Sequence, residues 1–255
     1  MFKNSINQEI SVSDTLNHLI DGVKIAFSKE CRAFVIIPII INIFVMSLGG
    51  YLIFSYLSDF IFSLADNWPE FLKFIAYILS TILAIVLGFV GCYFFSTVAT
   101  IIASPFYGFL AEKVEKMLTG KNANDDTVID AIKDVPRILK REAQKQIFFI
   151  PRALLCLIIT IIPGLNVISP ILWFLLTAWM ACLQYCDYAY DNHKTAFALM
   201  RKDLRANRMS TFIFGMIVSI GISIPIINLI LPPAAVCAGT KYYLQMQKSF
   251  TLDKE

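Results

Sequence analysis

Charge is missing from four long stretches of this chain, and that absence limits its fold more than any motif does. Ala33–Ser58, Phe74–Ala111, Ala153–Cys186 and Met209–Thr240 hold no Asp, Glu, Lys or Arg over 26, 38, 34 and 32 residues. Stretches of about 18 or more uncharged, mainly apolar residues read as membrane-embedded helix. Composition agrees, with 57% apolar and only 16% charged residues at a mean hydropathy of +0.67; ordinary soluble domains carry roughly 25% charge. The expected class is an all-α integral membrane protein.

The charges that remain are unevenly placed. Of 22 Lys and Arg, only Lys73 falls in Asp59–Lys73, which also carries three acids. Basic residues concentrate on the cytoplasmic side, so 59–73 is expected outside, with both termini and the other charged segments inside. Residues 1–30 lack the apolar core of a cleavable signal peptide. A net charge of +3 is too small to argue for a nucleic-acid partner.

Segment lengths suggest how the chain crosses. Within a single membrane domain, 1–255, residues 33–57 and 74–103 are each long enough for a transmembrane helix. An amphipathic interfacial helix is expected over 7–30, with Val12, Leu16, Leu19, Val23 and Phe27 on one face. A cytoplasmic helical segment (104–149) and an amphipathic one (187–208) separate two further apolar regions, 150–186 and 209–243. Each of these is too long for one crossing and shorter than the about 40 residues that two crossings need. Both carry the pattern P-x-x-N-x-x-x-P, at Pro163–Pro170 and again at Pro225–Pro232. Pro and Gly interrupt helices, and Asn caps them. The expectation is two short helical hairpins that enter from the cytoplasmic side and turn back inside the bilayer. The alternative is four slightly short crossings, six in total.

Motif searching finds no Walker A loop, G-x-S-x-G, H-E-x-x-H or dinucleotide fingerprint, so no cofactor is expected and direct ATP coupling within this chain is excluded. Six cysteines and two histidines lack metal-site spacing, and neither a metal nor a disulfide is expected. Asp187 and Asp191, at i and i+4, would suit a metal-dependent phospholipid enzyme, but the rest of that motif is missing; a cap at the bilayer surface is the plainer reading. Anion handling has more support. Arg32 precedes the first crossing, and Arg137, Lys140 and Arg141 cluster ahead of Arg152. Helices starting at Asn166 and Asn228 would aim N–H groups of Gly164, Leu165 and Asn166 into the membrane, where helix N-termini favour anions. Glu112 is expected to pair with Arg137 or Arg141, which share a helix face.

Several blocks together resemble the bacterial CysZ family of sulfate permeases. They are Tyr93-Phe94-Phe95-Ser96-Thr97, Ser104-Pro105-Phe106, Leu110-Ala111-Glu112, Lys133-Asp134-Val135-Pro136-Arg137 with Lys140-Arg141-Glu142, Pro151-Arg152, and Gln184-Tyr185-Cys186-Asp187-Tyr188 through Lys194. The resemblance implies an oligomeric inner-membrane protein that admits sulfate for cysteine biosynthesis, with two long transmembrane helices and two partly inserted hairpins. Where that family carries paired arginines before the first crossing, this chain has Arg32 followed by Ala33, which leaves Arg32, helped by Lys24, as the sulfate ligand. A metal-dependent lipid enzyme and a non-transporting membrane assembly protein remain the alternatives.

Overall fold

The computed structural model describes residues 10–66, 69–120 and 135–252. The Lys133-Asp134 pair of the resemblance lies outside them. Among the described residues the regular structure is helical throughout: α1 (Val12–Ala26), α2 (Arg32–Asp66), α3 (Lys73–Thr119), α4 (Val135–Ile161), α5 (Ser169–Asn192), α6 (Phe197–Ala206), α7 (Arg208–Ile222) and α8 (Pro225–Leu252), with single 3-10 turns at Glu70–Leu72 and Asn166–Ile168. Arg32–Tyr56, Glu70–Thr119, Pro136–Ile161 and Asn166–Asn192 are long and apolar enough to cross a membrane. This is an all-α integral membrane protein.

The chain forms two compact units, one of residues 37–103 and the other of residues 1–36 with 104–255. The smaller unit is a pair of helical segments from α2 and α3, and Gly49 lets them approach. A Cβ there would fall 2.5 Å from Cγ of Phe95. The outward surface of this unit is apolar, with Phe54, Phe74 and Phe89 all more than 70% exposed.

The larger unit is built around α5, α7 and α8. Leu183, Tyr190, Met200, Phe214, Val218 and Tyr242 are fully or almost fully enclosed there. Tyr242 ties α8 to the start of α7, its hydroxyl lying 2.7 Å from Ser210 Oγ and 3.0 Å from Thr211 Oγ1. Gly239 brings α8 against α5, where a Cβ would stand 2.6 Å from the Tyr185 carbonyl oxygen. Helix α1 opens with a capping box, in which Ser11 Oγ accepts from the Asp14 N–H and Asp14 accepts from the Ser11 N–H. It lies along α8 through Asp21–Lys241 (2.6 Å) and His18–Gln245 (2.5 Å). Thr15, Leu19, Gly22 and Ala26 face inward, whereas Val12, Leu16, Val23 and Phe27 are 40–54% exposed. The expected stripe exists, but Leu19 alone of its residues faces the protein; the rest faces away.

Three helix boundaries fall elsewhere than the sequence placed them. Helix α3 runs without a break through Pro105 to Thr119, because Tyr107, Leu110, Ala111 and Val114 are buried on one side and hold the last turns in place. Helix α4 runs through Pro151 and covers 27 residues. Its length is therefore about 40 Å at 1.5 Å per residue, so the boundary expected between 104–149 and 150–186 falls inside one continuous helix. Helix α8 begins at Pro225 and continues through Pro232 and Pro233, with Asn228 N–H donating to the Ile224 carbonyl. Its start is at Pro225 and not Asn228, since proline suits the first helical turn.

Candidate functional site

Helices α4 and α5 are joined by a turn and carry complementary charges at spacing four. Positions 137, 141 and 145 on α4 are basic; positions 187 and 191 on α5 are acidic. On a helix such residues share a face, and antiparallel pairing sets the two rows against each other. Arg137 Nη1 meets Asp191 at 2.5 Å, Arg141 Nη2 meets Asp187 at 2.6 Å, and Lys145 Nζ meets the other Asp187 oxygen at 2.9 Å. Lys145 also reaches Glu142 at 2.6 Å and Gln184 at 3.3 Å.

Burial deepens along this ladder. The side chains of Arg137 and Asp191 are 33% and 18% exposed, against 9% and 3% for Arg141 and Asp187, and 2% for Lys145. The buried part is electrically balanced, two cations against Asp187 and Glu142. Balance matters because an unpaired buried charge costs several kcal/mol. Arg141 also donates to the Thr195 carbonyl at 2.8 Å and lies 5.3 Å above the Phe197 ring. The inner end of α3 is held against the same place. Asn192 Nδ2 donates to the Gly108 carbonyl at 2.9 Å, Tyr107 packs edge-on against Tyr188, and His193 Nε2 lies 2.9 Å from Glu115. That carboxylate raises the His193 pKa above its ordinary value, against the opposing effect of burial.

Two clefts share the Arg137–Asp191 pair. One, of about 50 Å³, is lined by Ser104, Gly108, Glu112, Arg137, Asp191 and Asn192, among others. The other, of about 250 Å³, adds Lys140, Arg141 and Lys194, so that four cations surround a single carboxylate. Such a lining draws anions from water and offers guanidinium donors in fixed geometry.

The family described as Sulfate transporter CysZ/Etoposide-induced protein 2.4 matches residues 18–233. This chain belongs to that family. Curated relatives called Sulfate transporter CysZ are similar over nearly their whole lengths. The one from Vibrio parahaemolyticus is 43% identical over 88% of this chain and 91% of its own. Those from Vibrio cholerae (40%, over 94% and 97%) and Salmonella typhimurium (42%, over 88% and 88%) agree.

In this CysZ-family chain the residues singled out by sequence fall in separate places. Arg137 and Arg141 stand together as expected, and Glu112 lines the cleft that Arg137 shares. Their carboxylate partners across the hairpin are Asp191 and Asp187, so those two aspartates hold cations where a lipid enzyme would need them on a metal. Arg152 is elsewhere. It lies 3.6 Å above the Phe148 ring, donates to the Phe148 carbonyl, and has Arg201 and Arg205 as charged neighbours. Arg32 is exposed at the first turn of α2, two residues before Phe34, whose ring packs 6.5 Å from that of Phe109 beside the smaller cleft. Lys24 is exposed and pairs with Asp21 at 3.5 Å. Gly164, Leu165 and Asn166 form the turn at the other end of α4, about 36 Å of helix from Arg137. The Asn166 N–H there donates to the Ile162 carbonyl, and α5 begins three residues later, at Ser169. Lys145 and Glu115 went unnoticed in the sequence, and Glu142 and His193 entered only as parts of the blocks that carry the resemblance. The matching four-residue spacings of 137–141–145 and 187–191 were the available signal.

Proposed function

We propose that this protein is a sulfate permease of the bacterial inner membrane, admitting sulfate to the cytoplasm for assimilation into cysteine. The reading is carried by the pair of clefts meeting at Arg137–Asp191, in a chain whose relatives over most of its length are called sulfate transporters. Sulfate is a strongly hydrated dianion, and moving a bare charge into hydrocarbon costs tens of kcal/mol on a Born estimate. A pathway must replace that water with donors and still let the ion go. Lys140 and Lys194 draw sulfate into the larger cleft, where it competes with Asp191 for the Arg137 guanidinium. Ser104 and Asn192 offer neutral donors beyond, and the Glu112 carboxylate keeps residence short by repulsion. Arg141, Lys145, Asp187 and Glu142 hold the two helices in register.

Arg32 and Lys24 are assigned as sulfate ligands at the same end of α3. The Gly164–Asn166 turn belongs to the far end of the pathway, with the N–H groups of Gly164 and Leu165 as its donors. Both hairpins, α4–α5 and α7–α8, enter from the cytoplasmic side and turn back in the bilayer. Support comes from α7, whose 15 residues span only about 22 Å against a hydrocarbon core of about 30 Å. The apolar outward surface of residues 37–103 meets lipid and neighbouring copies of the chain, as a homo-oligomer requires. The test is uptake of labelled sulfate, sulfite and chloride, measured in parallel, into vesicles containing the purified protein. Sulfate flux above that of protein-free vesicles is expected; flux of chloride alone would refute the assignment.

A further inference from the structure

Four arginines that line neither Arg137 cleft lie together on the larger unit. Arg152 comes from α4, Arg201 and Arg205 from one face of α6, and Arg208 from the start of α7. Arg152 and Arg201 both stand over the Phe148 ring, at 3.6 and 4.9 Å, and Arg201 also lies 5.1 Å from the Phe197 ring. Arg205 is an electrostatic neighbour of Arg152 and, with Arg208, borders a cavity of about 530 Å³. The rest of that cavity is lined by Trp179, Met209 and Phe212.

Among the described residues no carboxylate neutralises this cluster. Among the described residues none of the four arginines makes an ion pair, and Arg201 Nε is buried without a hydrogen-bond partner. The acid of α6, Asp203, is hydrogen-bonded to Tyr190 and has Lys202 as its charged neighbour. Arg152, Arg205 and Arg208 are exposed, so water and salt screen part of the repulsion among the four guanidinium groups, and a bound anion would relieve the rest. The cavity beside them is apolar, and Met209 is 70% exposed, so a small inorganic ion would leave that surface bare. A molecule with an anionic head and a hydrocarbon tail satisfies both halves.

We propose that Arg152, Arg201, Arg205 and Arg208 bind the phosphate headgroup of an anionic phospholipid, with an acyl chain lying in the cavity against Trp179, Met209 and Phe212. Guanidinium groups suit phosphate through paired N–H donors. The arginines belong to segments placed at the cytoplasmic face by the distribution of basic residues, where anionic lipid is recognised by such clusters. This site stands whether or not sulfate is the transported ion, and it removes Arg152 from the ion pathway.

Trp179 supplies the readout. The chain has three tryptophans, so Trp68→Phe with Trp173→Phe leaves Trp179 as the reporter in the full-length protein. That protein is placed in phosphatidylcholine nanodiscs doped with phosphatidylglycerol or phosphatidylcholine brominated on the acyl chain. Half-maximal quenching is expected at an about fivefold lower mole fraction of the brominated phosphatidylglycerol, the factor matching ~1 kcal/mol for one arginine at an anionic surface. Arg205→Gln with Arg208→Gln should abolish the difference, and Arg205→Lys with Arg208→Lys should retain most of it. Retained phosphatidylglycerol adducts in native mass spectra of the unmutated chain, lost in the glutamine variant, give a second readout independent of the tryptophan changes. Equal quenching by the two lipids, or a preference that survives the glutamine substitutions, would overturn the proposal. So would loss of the preference on adding inorganic phosphate at constant ionic strength, which would make the cluster a site for free anions.

Discussion

Lys145 is the residue whose environment most depends on its partners. Its side chain is 2% exposed and its ammonium group is held by Glu142, Asp187 and Gln184. Lys145→Met would leave Glu142 buried without its cation, and breaking a buried pair in this way costs about 3–5 kcal/mol. A matching fall in melting temperature in detergent is expected. Lys24, with a side chain 73% exposed, serves as the contrast, and Lys24→Met should stay within about 0.5 kcal/mol of the parent. His193 gives a pH dependence whose sign is fixed. Its pKa in the folded protein is above 6.5 because of Glu115, so its contribution is fully present below that value and is lost as pH rises through the folded-state pKa. The gap in melting temperature between the parent and His193→Gln should therefore shrink as pH rises above 6.5; a gap that widens would contradict the assignment. At Arg32, Arg32→Ala should weaken sulfate binding by about 1.5–3 kcal/mol, the range for a charged hydrogen bond, without changing assembly. Isothermal titration of the purified variant decides this.

At the scale of elements, the sequence showed some features plainly and hid others for identifiable reasons. Helices α2 and α3 were legible because a charge-free run needs no partner to be recognised. The continuation of α3 past Ala103 was not, because Pro105 looks like a stop until the burial of Tyr107, Leu110 and Val114 is known. The P-x-x-N-x-x-x-P repeat was real as sequence, yet its two copies fold differently: Pro163 lies in a turn, whereas Pro225 starts α8. The ion ladder was half legible. Arg137 and Arg141 were recognised as an anion-handling pair, but their partners lie 54 and 46 residues away, and local spacing cannot supply that pairing. Arg152 was grouped with Arg141 because the two are close in sequence, although eleven residues of helix set them about 16 Å apart. The insertion depth of the hairpins belongs to this scale too. Leu165→Cys and Ile227→Cys, in a background without native cysteines, should resist a membrane-impermeant thiol reagent added from the periplasmic side, while Asp66→Cys reacts. Rapid labelling of both from that side would mean six full crossings.

At the scale of the whole molecule, a balanced ladder of ions lies between α4 and α5, with a cation-rich cleft beside its exposed end. On the proposed pathway Asp191 occupies the guanidinium that sulfate would need, so the Arg137–Asp191 pair would both hold Arg137 in place and compete with the transported ion. Removing the acid and removing the base should then act in opposite directions. The most direct measurement is the concentration dependence of labelled sulfate uptake into vesicles containing the parent protein, Asp191→Asn or Arg137→Gln. Asp191→Asn is expected to lower the half-saturating sulfate concentration about tenfold, the equivalent of ~1.4 kcal/mol, and Arg137→Gln to abolish saturable uptake. Parent-like uptake by Arg137→Gln, or a higher half-saturating concentration in Asp191→Asn, would contradict a sulfate pathway through this pair.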